Sequence, residues 1–530
     1  MTSRVCIAIT ILLLPLLGWS QTLPASDSAN QDTAANVVTD SSVADSTVPN
    51  MAAGSGYTFT TTTLYTQPDP SEKTYIAATS ADASAAALLT LDGRKQAVFW
   101  NGSKGEIYQE ILAVWVSPKG EHCGYYASKG KDYYVVIDGK EFGKYADLAD
   151  SITFSPDDNH YLFWALRQRE FSQSVQVVVD GKKKDYDMLL RTDPELFSPD
   201  GSRVAYFARN GKKFIPVVDG EQQGPYEYTG LGPIWSPDSK YLAYIGSRKD
   251  TVCVVINGQE QKGYTSVTSL EFSPDGAEYA YGAALNYDWY MYKGESQYGP
   301  YMGVWNPTYS PDGAHFSFVA RRDSSIFIVQ DGVELPGYVD VMWPVYSPDS
   351  RHLAYVAVLT RDTVHATQRA VLDGEEGPVY NFVYPDALTF SSNGEHFGYI
   401  GEIDTLRVVA VIDGNVGKEY QTIGILRFVG DDGDYIYSAK VDDSNWCIVR
   451  NGVEETFEDV WIPVVSDDGR HVASVVVKGG LKYLWIDGQL SDGYRGVSPA
   501  ALAFDDNNVI RFFGRSDEGV VVQVTATPAM

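Results

Sequence analysis

An aromatic or apolar residue followed by Ser-Pro-Asp-Gly, or a worn form of it, recurs along this chain at a near-constant interval. The clearest copies are Phe154-Ser-Pro-Asp157, Phe197-Ser-Pro-Asp-Gly201, Trp235-Ser-Pro-Asp238, Phe272-Ser-Pro-Asp-Gly276, Tyr309-Ser-Pro-Asp-Gly313 and Tyr346-Ser-Pro-Asp349. Weaker copies are Val116-Ser-Pro-Lys-Gly120, Phe390-Ser-Ser-Asn-Gly394, Val429-Gly-Asp-Asp-Gly433, Val465-Ser-Asp-Asp-Gly469 and Phe504-Asp-Asp-Asn-Asn508, with a faint Ser80-Ala-Asp-Ala-Ser84 ahead of them. Taken at the Ser position, the markers stand at 80, 117, 155, 198, 236, 273, 310, 347, 391, 430, 466 and 505, in steps of 36 to 44 residues. A period of that length means an array of small units, none able to shelter its apolar faces alone.

Two further markers run in phase. An apolar run ends in Asp-Gly or Asn-Gly, as in Val135-Val-Ile-Asp-Gly139, Val177-Val-Val-Asp-Gly181, Val254-Val-Ile-Asn-Gly258 and Ala410-Val-Ile-Asp-Gly414. A Tyr follows that Gly by six positions, at Tyr108, Tyr145, Tyr226, Tyr264, Tyr338, Tyr380, Tyr420 and Tyr494. The order writes out one unit. A strand ends at the aromatic, and Pro-Asp-Gly turns it, Asp capping and Gly supplying a positive φ. A second strand follows, such as Val204–Ala208 or Leu353–Ala357, and then a polar hairpin of variable length. The β-branched run into Asp-Gly is a third strand with a strong hairpin signal, and a fourth carries the Tyr. Four short antiparallel strands in about 40 residues make one blade of a β-propeller.

The Ser-Pro-Asp-Gly phrase resembles the repeat of the TolB-type propellers, a WD40-like variant, over roughly residues 57–525. The resemblance implies an all-β propeller fold. It implies little about activity, since the phrase is a turn and core signature. Peptidases that share this repeat add a hydrolase domain after the propeller. Here the chain ends about 20 residues past the last marker without Gly-x-Ser-x-Gly, so that activity is not expected.

Twelve markers suggest about twelve blades. The favoured organisation is two tandem six-bladed propellers, residues 57–290 and 291–530, with one large ring or an uneven split as alternatives because no linker interrupts the steps near residue 290. The last unit lacks an Asp-Gly–Tyr strand, while Tyr57–Tyr65 stands ahead of the first unit without a partner. That orphan is expected to complete the final blade and cover its edge.

Residues 1–20 read as a bacterial secretory signal peptide: Arg4, an apolar stretch Val5–Leu17, then Gly18 and Ser20 at the −3 and −1 positions of a cut. Residues 21–56 are rich in Ser, Thr, Ala and Asp, without Lys, Arg or an aromatic before Tyr57, and read as a disordered spacer. The expected location is secreted or periplasmic, with no membrane insertion after cleavage. Cys123, Cys253 and Cys447 show no CxxC spacing and are expected to be small buried residues.

A net charge of −28 argues against nucleic acid and anionic lipid as partners. Walker, HExxH and dinucleotide motifs are absent. Six of seven His (His122, His160, His315, His352, His396 and His471) stand five positions after the marker, which makes them a structural address at the start of the second strand. His365 falls in a variable hairpin. No metal and no cofactor are expected, and the Lys182-Lys-Lys184 run reads as a solvated turn. The segment from the Tyr strand to the next inner strand feeds the channel face. It carries Trp305-Asn-Pro307, Trp343-Pro344, Tyr384-Pro-Asp386 and Trp461-Ile-Pro463, with Arg191, Asp193 and Arg427 in equivalent places. The binding candidates are therefore Trp305, Trp343, Tyr384, Asp386, Trp461, Arg191, Asp193 and Arg427, although capping of the inter-blade core explains the aromatics more simply. The expected function is a monomeric, non-enzymatic binding or scaffold protein for a protein or cell-envelope glycan. The alternative is a polysaccharide lyase or glycosidase with its site at the channel mouth.

Overall fold

The computed structural model describes residues 56–529 apart from 67–71, 150, 169–172, 191–195, 362–365, 385–386, 499–501 and 517. The leader and all of the spacer but Gly56 lie outside the described residues, as do His365, Arg191, Asp193 and Asp386. The described chain is all-β, and its strands form twelve separate antiparallel sheets. Blade 7 shows the pattern: Gly303–Tyr309, Phe316–Arg322, Ser325–Gln330 and Val333–Glu334, paired in sequence order. Blade 1 begins at Lys73–Thr79. Blade 12 is assembled from both ends of the chain, with Gly496–Val497, Ile510–Arg515 and Val521–Pro528 followed by Tyr57–Tyr65 as its outermost strand. The orphan strand thus does complete the last blade, running antiparallel from Tyr57 opposite Pro528 to Tyr65 opposite Val521.

The turn chemistry explains each unit. In the Ser-Pro-Asp-Gly turn, Ser155, Ser198, Ser236, Ser273 and Ser310 are buried, and each hydroxyl donates to the Asp two residues on, at 2.5–2.6 Å. The same Ser oxygen accepts the N–H five residues on, for example His160 N at 2.9 Å and His315 N at 2.9 Å. One side chain therefore caps both sides of the turn. The Asp-Gly turns adopt positive φ at both positions, as at Asp138 (49°) and Gly139 (78°), the two-residue turn whose twist suits a hairpin. The repeated His closes the unit: its Nδ1 lies 2.6–2.8 Å from the carboxylate of the Asp-Gly Asp in His122–Asp138, His160–Asp180, His315–Asp331, His352–Asp373, His396–Asp413 and His471–Asp487. The other carboxylate oxygen accepts the next N–H, such as Phe316 N at 2.9 Å. The His positions are structural.

Each blade shares a buried core with the next, from blades 1 and 2 through blades 11 and 12. Blade 12 returns to blade 1 through Val521 and Tyr65 against Leu88. Gln523 Nε2 also donates to Ala83 O at 2.7 Å across that junction. The expectation of two six-bladed wheels is corrected here: the twelve blades close as one ring, the large-ring alternative. A cut at residue 290 would fall inside the third strand of blade 6, Asp288–Lys293, where Met291 shares a core with Phe318 and Val329 of blade 7. Both faces of every blade are apolar, so no blade can serve as an outer wall. Burying one such side chain stabilises by roughly 1.5–3 kcal/mol, a gain lost wherever the ring is interrupted.

The marker Tyr supplies that core. Tyr108, Tyr226, Tyr264, Tyr380, Tyr420 and Tyr494 meet an aromatic ring of the next blade's second strand at 5.6–6.1 Å, edge to face. Several of their hydroxyls reach across the junction to a Glu on the next blade's fourth strand. Tyr108 donates to Glu141 at 2.9 Å, Tyr338 to Glu376 at 2.9 Å and Tyr420 to Glu454 at 2.6 Å.

Candidate ligand-binding channel face

First strands of successive blades touch one another, as Ser266–Phe272 touches Gly303–Tyr309, whereas a fourth strand meets the second strand of the following blade. The first strands are therefore the inner edges of the ring. They are also the irregular ones. Register shifts interrupt them between Ile76 and Ala78, Ile111 and Ala113, Gly230 and Ile234, Val267 and Leu270, Trp305 and Thr308, and Met342 and Val345. In blades 3, 9, 10 and 11 the first strand splits into two short pieces that both pair with the second strand. Pro307, Pro344 and Pro463 fall within three of these breaks, where a residue without an N–H removes no ladder bond. Bulges re-aim side chains and bend strands, so the inner wall presents loops and side chains rather than a smooth ladder.

The aromatic candidates sit at these breaks, and each packs at the edge of a different core. Trp305 packs on the core between blades 7 and 8, Trp343 on that between 8 and 9, Tyr384 on that between 9 and 10, and Trp461 on that between 11 and 12. Trp343 has a φ of 50°, a backbone state a bulky residue adopts only where its surroundings hold it. The Tyr384 hydroxyl donates to Glu402 at 2.9 Å, and burial first, then that carboxylate, pushes it up to about 12. The Lys482 ammonium lies 5.5 Å from the Trp461 ring. Arg427 is exposed and paired with Ile436 in blade 10. The half-buried aromatics thus cap cores, and no two of them share a core.

The most exposed large hydrophobic residues of the inner strands and their breaks were not singled out by spacing. They are Tyr75 (46 %), Tyr228 (53 %) and Ile462 (50 %). Tyr75 is also flanked by Arg515, whose guanidinium lies 5.8 Å from the ring. A signal was available for Ile462, an apolar residue between Trp461 and Pro463. Tyr228 and Tyr75 lie in the regularly paired part of their strands, ahead of the register shift, and no residue type announces their side. Cys123, Cys253 and Cys447 are buried and unpaired with one another, and burial raises each thiol, that of Cys447 to about 11. Among the described residues no group of three or more His, Cys, Asp and Glu side chains could hold a metal ion, and no helix is long and apolar enough to cross a membrane.

Closed blades, Tyr-based junctions and a broken inner wall define a twelve-bladed β-propeller. No protein-family model and no curated protein sequence match the chain. Among solved structures it is similar to a eukaryotic initiation factor at 10 % identity and a TM-score of 0.35, covering 74 % of this chain and 97 % of that one. It is also similar to the β-propeller domain of Cps50 (Swd1) from Myceliophteria thermophila at 13 % identity and a TM-score of 0.22, covering 49 % of this chain and 98 % of that one. At these scores the fold assignment rests on the strand pairing itself.

Proposed function

We propose that this chain is a secreted or periplasmic propeller that binds a protein or cell-envelope glycan on its channel face and does no chemistry on it. The observation that carries the reading is the recurrent interruption of the inner strands of a closed ring, together with Tyr75, Tyr228, Arg427 and Ile462 exposed along them. Aromatic rings with a polar edge suit both protein and sugar surfaces. The Ser-Pro-Asp-Gly turn supports grouping the repeat with TolB-type propellers, and the apolar leader supports export. The acidic composition disfavours nucleic acid.

The test uses the purified chain against envelope polysaccharide and envelope protein fractions, beside a Tyr228→Ala/Arg427→Ala/Ile462→Ser variant. Selective recovery by the wild type, reduced in the variant, supports the reading. Equal recovery by both, or none above background, overturns it. Shortening of a polysaccharide by the wild type would replace it with the lyase or glycosidase reading.

A further inference from the structure

Two clefts of like construction open between blades on the face that carries the Ser-Pro-Asp-Gly and Asp-Gly turns. One lies between blades 3 and 4 and has a volume of about 330 Å³. The other lies between blades 8 and 9, at about 240 Å³. Their inner walls correspond position by position: Val177, Val179, Phe197 and Tyr206 in the first, Ala370, Leu372, Phe390 and Tyr399 in the second. Their rims do not correspond. The fourth strand of blade 8 offers Glu375 and Gly377, and Glu395 stands opposite, whereas the fourth strand of blade 3 offers Lys182 and Lys184.

The register fixes which way these lysines lie. Lys182, Lys184 and Tyr186 stand opposite Val179, Val177 and Val175, and Val177, Val175 and Tyr186 belong to the core shared with blade 4. Lys183 stands opposite Val178 and turns the other way, onto the Phe142 ring of blade 2 at 5.7 Å, where Lys140 also sits at 5.1 Å. The acidic groups of the cleft are already engaged. Asp180 faces His160 at 2.8 Å, and Asp219 accepts from Arg203 Nε at 3.0 Å, whose guanidinium also stacks 4.9 Å from Trp235 of blade 5. Lys182 and Lys184 form no ion pair among the described residues. Of the other fourth strands that follow an Asp-Gly, Asn-Gly or Lys-Gly turn, that of blade 2 alone has a Lys at either of the two positions, Lys140 beside Phe142; the rest hold pairs such as Ser103 and Gly105, Glu221 and Gln223, Gln259 and Gln261, Val333 and Leu335, or Gln489 and Ser491. In a chain of net charge −28, two uncompensated ammonium groups over a ring-lined cleft concentrate a field of the opposite sign to the rest of the surface.

We infer that the cleft between blades 3 and 4 binds a small organic anion, a carboxylate or phosphate carried on a body the size of one sugar ring, with the anionic group between Lys182 and Lys184 and the body against Phe197 and Tyr206. Lys serves as a point charge for either group, and the aromatic wall sets a preference for a ring over a bare ion. This site is independent of the channel face and stands or falls separately from it.

The experiment is titration calorimetry on the whole chain with glucuronate and with glucose 6-phosphate, alongside neutral glucose and inorganic phosphate. Saturable binding of at least one of the two charged sugars is expected, weakened at least tenfold in Lys182→Gln/Lys184→Gln and unchanged in Glu375→Gln, which alters only the acidic counterpart. The two charged sugars also tell carboxylate from phosphate preference. The inference is overturned by no saturable binding, by equal affinity for neutral glucose, by inorganic phosphate matching the sugar phosphate, or by full affinity in the double lysine variant. Both lysines are exposed, so the variant leaves the core untouched.

Discussion

Asp158 of blade 3 is the cap of a turn in blade 2: its carboxylate accepts the hydroxyl of Ser117. It also accepts Lys119 N at 3.0 Å and Glu121 N at 3.2 Å. Blade 2 has Lys119 where most turns have Asp, and blade 3 has Asp158 where most turns have Gly. The misplaced Asp of one blade, held at a φ of 65°, replaces the missing one of its neighbour. Ser239 and Ser350 occupy the same place with φ of 62° and 66°, and their hydroxyls accept Asp200 N at 3.0 Å and Asp312 N at 3.1 Å across the junction. Departures from the motif are thus inter-blade staples.

Removing this carboxylate should cost more than an ordinary surface change. Asp158 is 1 % exposed, and Asp158→Ala orphans a hydroxyl and two N–H groups. At roughly 1–3 kcal/mol per buried orphan, partly offset by water, the loss should be about 3 kcal/mol. Lys119→Asp combined with Asp158→Gly rebuilds the standard turn in both blades and should recover most of it. Urea unfolding of the single and double variants checks this. Independent, additive effects would show that the two positions do not exchange roles.

Glycine at that same place answers to its neighbour. A Cβ on Gly201 would lie 2.3 Å from Asp157 Oδ1 of blade 3, and its φ is 79°. Gly313 has a φ of 72° and nothing within 4 Å. Gly313→Ala should therefore cost only the backbone term, about 1 kcal/mol, and Gly201→Ala about 2–3 kcal/mol because Asp157 must also move. Equal midpoints for the two variants in a denaturant titration would mean the turns do not abut.

The capped carboxylates set the acid limit. The Ser155 hydroxyl first, then Asn159, holds Asp157 down at about 2, Ser347 does the same for Asp349, and Lys240 with Ser236 does so for Asp238. Their folded values lie below the unfolded value of about 3.9. The stability they contribute is fully present above that value and is lost as pH falls through about 2. The melting temperature should hold down to about pH 4 and fall steeply toward pH 2. Ser347→Ala should reduce the stability near neutrality and flatten the decline in that window. A melting temperature independent of pH between 4 and 2 would contradict the assignment.

Much of this architecture is legible from residue order because each marker does one local job. Ser155, Asp157 and His160 make their contacts within a few residues or one hairpin, so their spacing writes out the blade. Ring count is different. Tyr264 and Tyr281 join blades 5 and 6 through the same edge-to-face contact that joins blades 1 and 2 through Tyr108 and Tyr125. Identical local joints close six blades or twelve, and the outcome depends on small angles summed around the ring. The channel face was half legible for a similar reason. Pro and Trp disclose where the inner strands break, but the 53 % exposure of Tyr228 and the packing of Trp305 against a core follow no period.

The closure strand makes the strongest mechanical demand on the fold. Tyr57–Tyr65 comes from the start of the described chain and pairs with Val521–Pro528 near its end, while Tyr57 N is bonded to Gln489 Oε1 of blade 11 at 2.7 Å. It holds together segments more than 430 residues apart, so its pairing is formed only when the whole ring is in place. Deleting residues 57–65 removes Tyr65 from the core between blades 12 and 1 and leaves the strand Val521–Pro528 as a bare edge. A bare edge of alternating apolar residues recruits another strand. The deletion should lower the melting temperature by about 10 °C or more and produce concentration-dependent association, and a synthetic peptide of residues 57–65 added in excess should reverse both. The ring-closing role would be refuted by an unchanged melting temperature, measured with light scattering at two protein concentrations, or by a peptide that binds without restoring the scattering of the intact chain.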